Sequence, residues 1–262
     1  MTRSSQAGVD RLIADAVAVP LSGWDFSRLE GRVRSDPLPW DYRALAGAAA
    51  RRATRVLDID TGGGEVLATL GVPAGSVAVE PYAPNVPVAR ARLQAYGIEV
   101  RERTASRLPV EDAAFDLVLN RHGALDPTEI ARVLRPGGSV WTQQVGAVND
   151  AELNAAFGAA PPVGGLASAA DGTAQLQAAG LDVVRAEEAW PGSRYLDVGA
   201  VVLQLRAVSW QVPGFDVDRH RSELLEIDRV IRTSGAFTVT SHRLLFHAVR
   251  PGPAAAPRLP QR

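Results

Sequence analysis

The chain has 262 residues, enough for one large domain or two small ones, and its 46% hydrophobic and 22% charged residues are the balance of an ordinary soluble globular protein. The formal net charge of -1 gives no global pull toward nucleic acid. There is no Cys, which excludes disulfides, thiolate metal sites and a Cys nucleophile, and the four His (His122, His220, His242, His247) include no i, i+4 pair beside an acid, so no metal is expected.

All 28 basic residues are Arg, a bias read as genome base composition rather than phosphate recognition. The first ten residues lack the apolar core of a signal peptide, and no run of 18 uncharged apolar residues occurs. A cytoplasmic protein with no membrane partner is expected.

In chain order, Leu12, Ile13, Ala16 and Val17 recur at helical spacing and predict a short helix over 9–18. A Pro- and Gly-rich arm follows, holding Trp24, Phe26, Trp40 and Tyr42. It reads either as packing onto the body or as a lid over a ligand. Residues 41–51 look helical, and 55–60 form a buried strand ending in an acid. A helix is expected to start at 65–70, then a strand at 76–80, a helix at 84–96 and an alternating strand at 98–104. F-D-L-V-L-N, 115–120, is a buried strand. Asp126 and Pro127 cap a helix over 127–134 that stops at R-P-G-G, and 139–145 is a fifth strand.

Strands and helices thus alternate over about 100 residues, which predicts βαβ units on a parallel, doubly wound α/β sheet. Beyond them, 171–179 look helical and 181–188 extended, 194–208 and 217–232 read as two helices, and 237–249 as a last strand. The expected organisation is an N-terminal arm or lid over 1–50, one domain over 51–250 with a helical insertion at 191–235, and a Pro-rich disordered tail over 251–262.

The first strand runs into D-T-G-G-G-E at 60–65. In a doubly wound sheet ligands bind beyond the carboxyl ends of the strands, and glycines there admit a ligand against the backbone. Glu80 ends the next strand, where a carboxylate can accept both hydroxyls of a ribose. A nucleoside-bearing ligand follows. The dinucleotide fingerprint is absent, Glu65 would repel a pyrophosphate, and no Lys exists for a Walker loop.

V-L-D-I-D-T-G-G-G, V-A-V-E, L-P-V-E-D-A-A-F-D-L-V-L-N-R-H and E-I-A-R-V-L-R-P-G-G-S-V, in this order and spacing over 54–146, resemble the successive motifs of class I S-adenosylmethionine-dependent methyltransferases, in particular the bacterial small-molecule, type 11-like group. The resemblance implies a seven-stranded, mostly parallel Rossmann-like sheet and S-adenosylmethionine as cofactor. It assigns Asp58, Gly62 and Gly64 to the turn around the methionine part, Glu80 to the ribose, and Ala105 and Ser106 to the adenine. Asn120, Arg121 and His122 fall where sulfonium and substrate meet. Asp60 stands where the family has its first Gly. Its carboxylate either repels the cofactor's carboxylate or pairs with its amino group or sulfonium. The acid that many members use for the adenine amino group is missing around Thr104–Ser106.

A sulfonium methyl is already activated, so the protein needs mainly to align a nucleophile and exclude water. His122 is the candidate base, because histidine's ordinary pKa suits proton removal at neutral pH. Arg121 is a candidate for orienting an acidic substrate. Gln143 and Gln144 end the fifth strand, with alternation sending one toward the site. Trp24, Tyr42, Gln143, Tyr195 and Trp210 are the candidate substrate contacts. The expected activity is methyl transfer to an O or N atom of a small organic molecule, of the kind secondary metabolism makes, by a monomer or homodimer. Two alternatives stay open: the same fold using the cofactor for other chemistry, and an inactive binding protein.

Overall fold

The computed structural model describes residues 3–20, 26–162 and 164–252. Trp24 and the tail beyond residue 252 therefore lie outside the described residues. The chain runs α1 (Arg3–Ala18), β1 (Val33–Ser35), α2 (Tyr42–Ala50), β2 (Val56–Ile59), β3 (Val77–Glu80), α3 (Asn85–Leu93), β4 (Glu99–Glu102), β5 (Phe115–Arg121), α4 (Pro127–Val133) and β6 (Leu134–Val145). It continues with α5 (Ala151–Ala156), α6 (Ala169–Ala178), β7 (Asp182–Ala189), β8 (Gly192–Tyr195), α7 (Val198–Ala207), α8 (Arg221–Ser234), β9 (Phe237–Thr240) and β10 (Arg243–Val249). Among the described residues no helix is long and apolar enough to cross a membrane.

Two compact units result. One comprises 41–144, 169–187 and the chain from 245. It carries a seven-stranded sheet of order β4-β3-β2-β5-β6-β10-β7. The pairs from β4 through β6 are all parallel. β2, β3 and β5 are almost wholly buried, which is why they read as unbroken apolar runs. β4 at one edge and β7 at the other alternate between covered and exposed residues. Asp126 caps α4 as its sequence predicts, accepting from Glu129 N at 3.1 Å with Pro127 in the first turn.

The second unit comprises residues up to 40, 145–168 and 188–244. Its sheet is antiparallel, of order β1-β8-β9. α1 packs on α7, and Val9, Ile13, Val201, Leu205, Leu224 and Ile227 share one core. Asp197 caps α7 by accepting from Ala200 N at 2.9 Å and also receives Arg32 Nε at 2.8 Å.

Four local expectations are revised. No α-helix follows the glycine turn; Gly71, at φ +68°, and Pro73 close the segment after a single 3-10 turn over Leu67–Thr69. The R-P-G-G stretch lies inside β6. The register there jumps from Phe115↔Leu134 to Leu117↔Ser139, so the Pro-Gly-Gly residues form a bulge, with Gly137 at φ +81°. Residues 194 and 195, expected as a helix start, belong to β8. Finally 237–249 is two strands, because the chain leaves one sheet at Thr240 and enters the other at Arg243.

Gly64 sits at φ +79°, and a Cβ there would meet Leu93 Cγ of α3 at 2.9 Å. Gly64→Ala combines left-handed strain with overpacking and is expected to destabilise by about 2–4 kcal/mol. A thermal melt checks this; an unchanged midpoint would show that α3 yields at no cost.

Candidate functional site

From β2 the chain builds outward through β3 to β4, then returns to place β5 and β6 on the other side of β2. The crevice between the carboxyl ends of β2 and β5 is thus the topological switch point, the place where open α/β sheets bind ligands. Asp60 follows β2 at this point, and Arg121 and His122 stand at the end of β5. Glu80 closes β3 beside them.

The glycine turn is pinned by its neighbours. Thr61 N donates to Val79 O at 3.1 Å, and Gly62 N donates to Glu80 Oε2 at 2.6 Å. The other Glu80 oxygen accepts from Tyr82 N at 2.9 Å. Glu80 is buried, and that desolvation raises its carboxyl above the usual range while the two backbone donors oppose the shift. Glu65, which would have faced a phosphate, is paired with Arg92. Arg92 also donates to Gly63 O. With no α-helix after the turn, no helix N-terminus supports a phosphate here.

Asp58, Asp60 and Glu80 crowd this crevice. The Asp58 carboxyl is densely surrounded, and burial, with Asp60 and Glu80 adding repulsion, raises it to about 7. A raised carboxyl pKa means that the folded chain holds a proton the unfolded chain releases. Its contribution to stability is therefore complete below the ordinary value of 3.8 and is lost as pH rises toward 7. Asp58→Asn is expected to leave the melting point nearly unchanged below pH 4 and to raise it progressively up to pH 8. Equal effects at the two ends of this range would show that Asp58 is ionised throughout.

Asp60 is held at φ +59°. Its Oδ2 accepts from Ala124 N at 2.8 Å, joining the turn after β2 to the loop after β5. Its Oδ1 is buried without a hydrogen-bond partner, as is Thr61 Oγ1 beside it. Asn85, only 1% exposed, acts on the Glu80 carboxyl, but its amide makes no hydrogen bond of ordinary geometry. Of the six such buried atoms among the described residues, four belong to Asp60, Thr61 and Asn85. Buried polar atoms without well-formed hydrogen bonds are rare in native interiors, so their concentration here makes this crevice the candidate site.

Across the crevice, Asn120 is fully buried. Its Nδ2 donates to Ile59 O at 3.2 Å, and its Oδ1 accepts from Thr142 Oγ1 at 3.0 Å and from Gln144. Gln144 thus joins an internal network, while Gln143 turns to His122, its Nε2 lying 2.8 Å from the imidazole Nε2. His122 is at φ +60°, and its N donates to Gln143 O at 2.7 Å. Desolvation of the Arg121 head and nearby Arg43 lower its pKa, with Tyr42 and Asp58 opposing; the guanidinium stays charged.

The sequence-predicted residues Asp58, Asp60, Gly62, Gly64, Glu80, Asn120, Arg121, His122 and Gln143 all belong to the seven-stranded unit. Ala105 and Ser106 follow β4, and their carbonyls accept from Arg103 at 3.1 and 2.8 Å. Tyr42 is buried on α2 with its hydroxyl 3.4 Å from the Asn120 and Trp141 carbonyls, and burial keeps the phenol protonated. Tyr195 is buried in the core of the other unit, where Trp210 is 52% exposed. Sequence reasoning missed Arg103, Asn85, Thr61 and Tyr82. Tyr82 offers a 59% exposed ring two residues after Glu80, and a lone aromatic so near that acid is the signal that could have drawn attention to it.

The chain and its fold are similar to known proteins. Residues 57–142 match the family described as a methyltransferase domain. No curated protein matches the chain. Among solved structures, the YcgJ protein from Bacillus subtilis is similar with a TM-score of 0.57 and 20% identity, over 80% of this chain and 98% of its own. A functionally unknown protein from Deinococcus radiodurans R1 gives 0.55 and 16%, over 86% and 98%. The [4+2]-cyclase SpnF gives 0.54 and 16%, over 96% and 98%. The chain therefore shares the Rossmann-like α/β fold of these structures, and residues 57–142 resemble a methyltransferase domain.

Proposed function

We propose that the domain binds S-adenosylmethionine in the crevice between β2 and β5 and transfers its methyl group to an O or N atom of a small organic molecule. The observation that carries this reading is the set of buried polar atoms without well-formed hydrogen bonds on Asp60, Thr61 and Asn85 around a glycine turn and Glu80. The donor set suits a ligand with hydroxyls, an ammonium and a sulfonium. Its three carboxylates and lack of a helix N-terminus do not suit a phosphate.

Bound there, the sulfonium supplies an activated methyl group. Glu80 accepts ribose hydroxyls with the lone pairs that Gly62 N and Tyr82 N leave. The exposed Tyr82 ring offers a stacking face to the base. The loop 104–106, shaped by Arg103, stands beside it and offers backbone groups in place of an adenine-binding acid. His122, positioned by Gln143, takes a proton from the acceptor where one must leave. The balanced charge favours a small-molecule acceptor over nucleic acid.

Calorimetric titration with S-adenosylmethionine and S-adenosylhomocysteine tests the cofactor. Micromolar binding, about -8 kcal/mol, is expected; no binding at millimolar ligand would sink the reading. A second reading keeps the cofactor but not the transfer, since the fold also carries a protein named as a [4+2]-cyclase. Product mass separates the two: methyl transfer adds one methylene unit, and a cyclisation adds nothing.

A further inference from the structure

Asp60 is an odd residue to find at the switch point. A carboxylate oxygen that has lost water and gained no donor is costly unless something positive reaches it. The protein does not supply that partner by hydrogen bonding. Oδ2 is occupied by Ala124 N at 2.8 Å, while Oδ1 is buried and unpaired. The side chain also has little room to turn away. Gly123 abuts it so closely that a Cβ there would lie 2.5 Å from both Asp60 Cβ and Oδ2. Burial raises the Asp60 carboxyl above its usual range, the Ala124 N–H and the Arg103 charge oppose that shift, and Asp58 and Glu80 lie near enough to feel Asp60. The backbone adds a smaller cost, since φ +59° lies in the left-handed region, which Asp tolerates better than most residues but less well than glycine. A small hydrogen at this position would avoid every one of these costs.

We propose that Asp60 is a specificity-determining residue that reads the positive charge of the ligand, making the site select the sulfonium-bearing cofactor over its neutral thioether product. The inference rests on the proposed cofactor reading and extends it. A carboxylate whose Oδ1 is buried without a hydrogen-bond donor at the crevice between β2 and β5 gains more from a ligand whose sulfur is cationic than from its thioether. Because charge disappears from the sulfur when the methyl group leaves, the same carboxylate weakens the hold on the spent product.

The test compares S-adenosylmethionine with S-adenosylhomocysteine by calorimetry on the wild type, Asp60→Asn and Asp60→Gly. Asn keeps an acceptor for Ala124 N and removes only the charge. The ratio of the two dissociation constants is expected to shift by about tenfold toward S-adenosylhomocysteine in Asp60→Asn. Asp60→Gly is expected to shift it the same way while relieving the backbone strain. A ratio unchanged in both variants, or equal weakening of both ligands, overturns the charge-reading role and leaves cofactor binding standing. Failure of the wild type to bind either ligand overturns the cofactor reading itself, and the inference with it. Thermal melts of both variants confirm that the ratio is read on folded protein.

Discussion

Glu80→Ala is expected to weaken S-adenosylmethionine binding by at least 100-fold and to lower the melting point of the ligand-free protein. Both effects come from one side chain. Glu80 is 2% exposed, and each of its oxygens holds a backbone donor, Gly62 N at 2.6 Å and Tyr82 N at 2.9 Å. Truncation strips both donors of their acceptor in a buried place, at about 1–3 kcal/mol each. The turn at Gly62 then loses its tie to β3, and the ribose loses its acceptor. Glu80→Gln separates the two roles. It keeps one carbonyl acceptor but presents an NH2 group to the other backbone N–H, so some of the turn survives while the charge is lost. A Glu80→Ala protein that melts lower yet binds the cofactor within threefold of wild type would confine Glu80 to pinning the turn, and the ribose would need another partner.

The residues that made the site legible in the sequence are those whose chemistry is local. The strand over 55–60 shows because β2 is buried on both faces. The glycine turn shows because Gly62 and Gly64 take positive φ. The Asp126–Pro127 cap shows because capping is written in adjacent residues. What stayed hidden depends on partners far along the chain. β1 exists only because Val33–Ser35 pairs with Ser193–Tyr195, about 160 residues away, and nothing in V-R-S announces that pairing. Thr240 and Arg243 belong to different sheets although the run from Phe237 alternates without a break. Asn85 reads as an ordinary helix-start residue until its amide is found buried without a hydrogen bond of ordinary geometry. Arg103 reads as one more surface Arg until its guanidinium is found on the Ala105 and Ser106 carbonyls. Glu65 is the opposite case: its charge is plain in the sequence, and its pairing with Arg92 is not.

His122→Ala is expected to lower turnover by about 10²–10⁴-fold while leaving cofactor affinity within about threefold, provided the acceptor must lose a proton. The backbone here is set for display. His122 is held at φ +60° past the end of β5, with its N–H fixed on Gln143 O at 2.7 Å. Such strain persists only where the surroundings enforce it, and it clusters at functional positions. Gln143 is buried and reaches the ring at 2.8 Å. An amide nitrogen can only donate, so in this arrangement the imidazole Nε2 accepts and the ring proton sits on Nδ1. Half a turn of the Gln143 carboxamide reverses this, placing the proton on Nε2 and making Nδ1 the basic nitrogen. With His122 as the proposed base, the carboxamide of Gln143 would set which ring nitrogen is free to take the proton. Gln143→Leu is expected to reduce kcat by about tenfold and to change the pH profile of kcat, with cofactor affinity preserved. Gln143→Asn, which shortens the reach, should behave like Gln143→Leu, whereas Gln143→Glu, which can only accept from Nε2–H, should restore part of the lost rate. If His122→Ala retains full turnover on an acceptor that must be deprotonated, the base lies elsewhere and the strain at His122 serves only to shape the loop after β5.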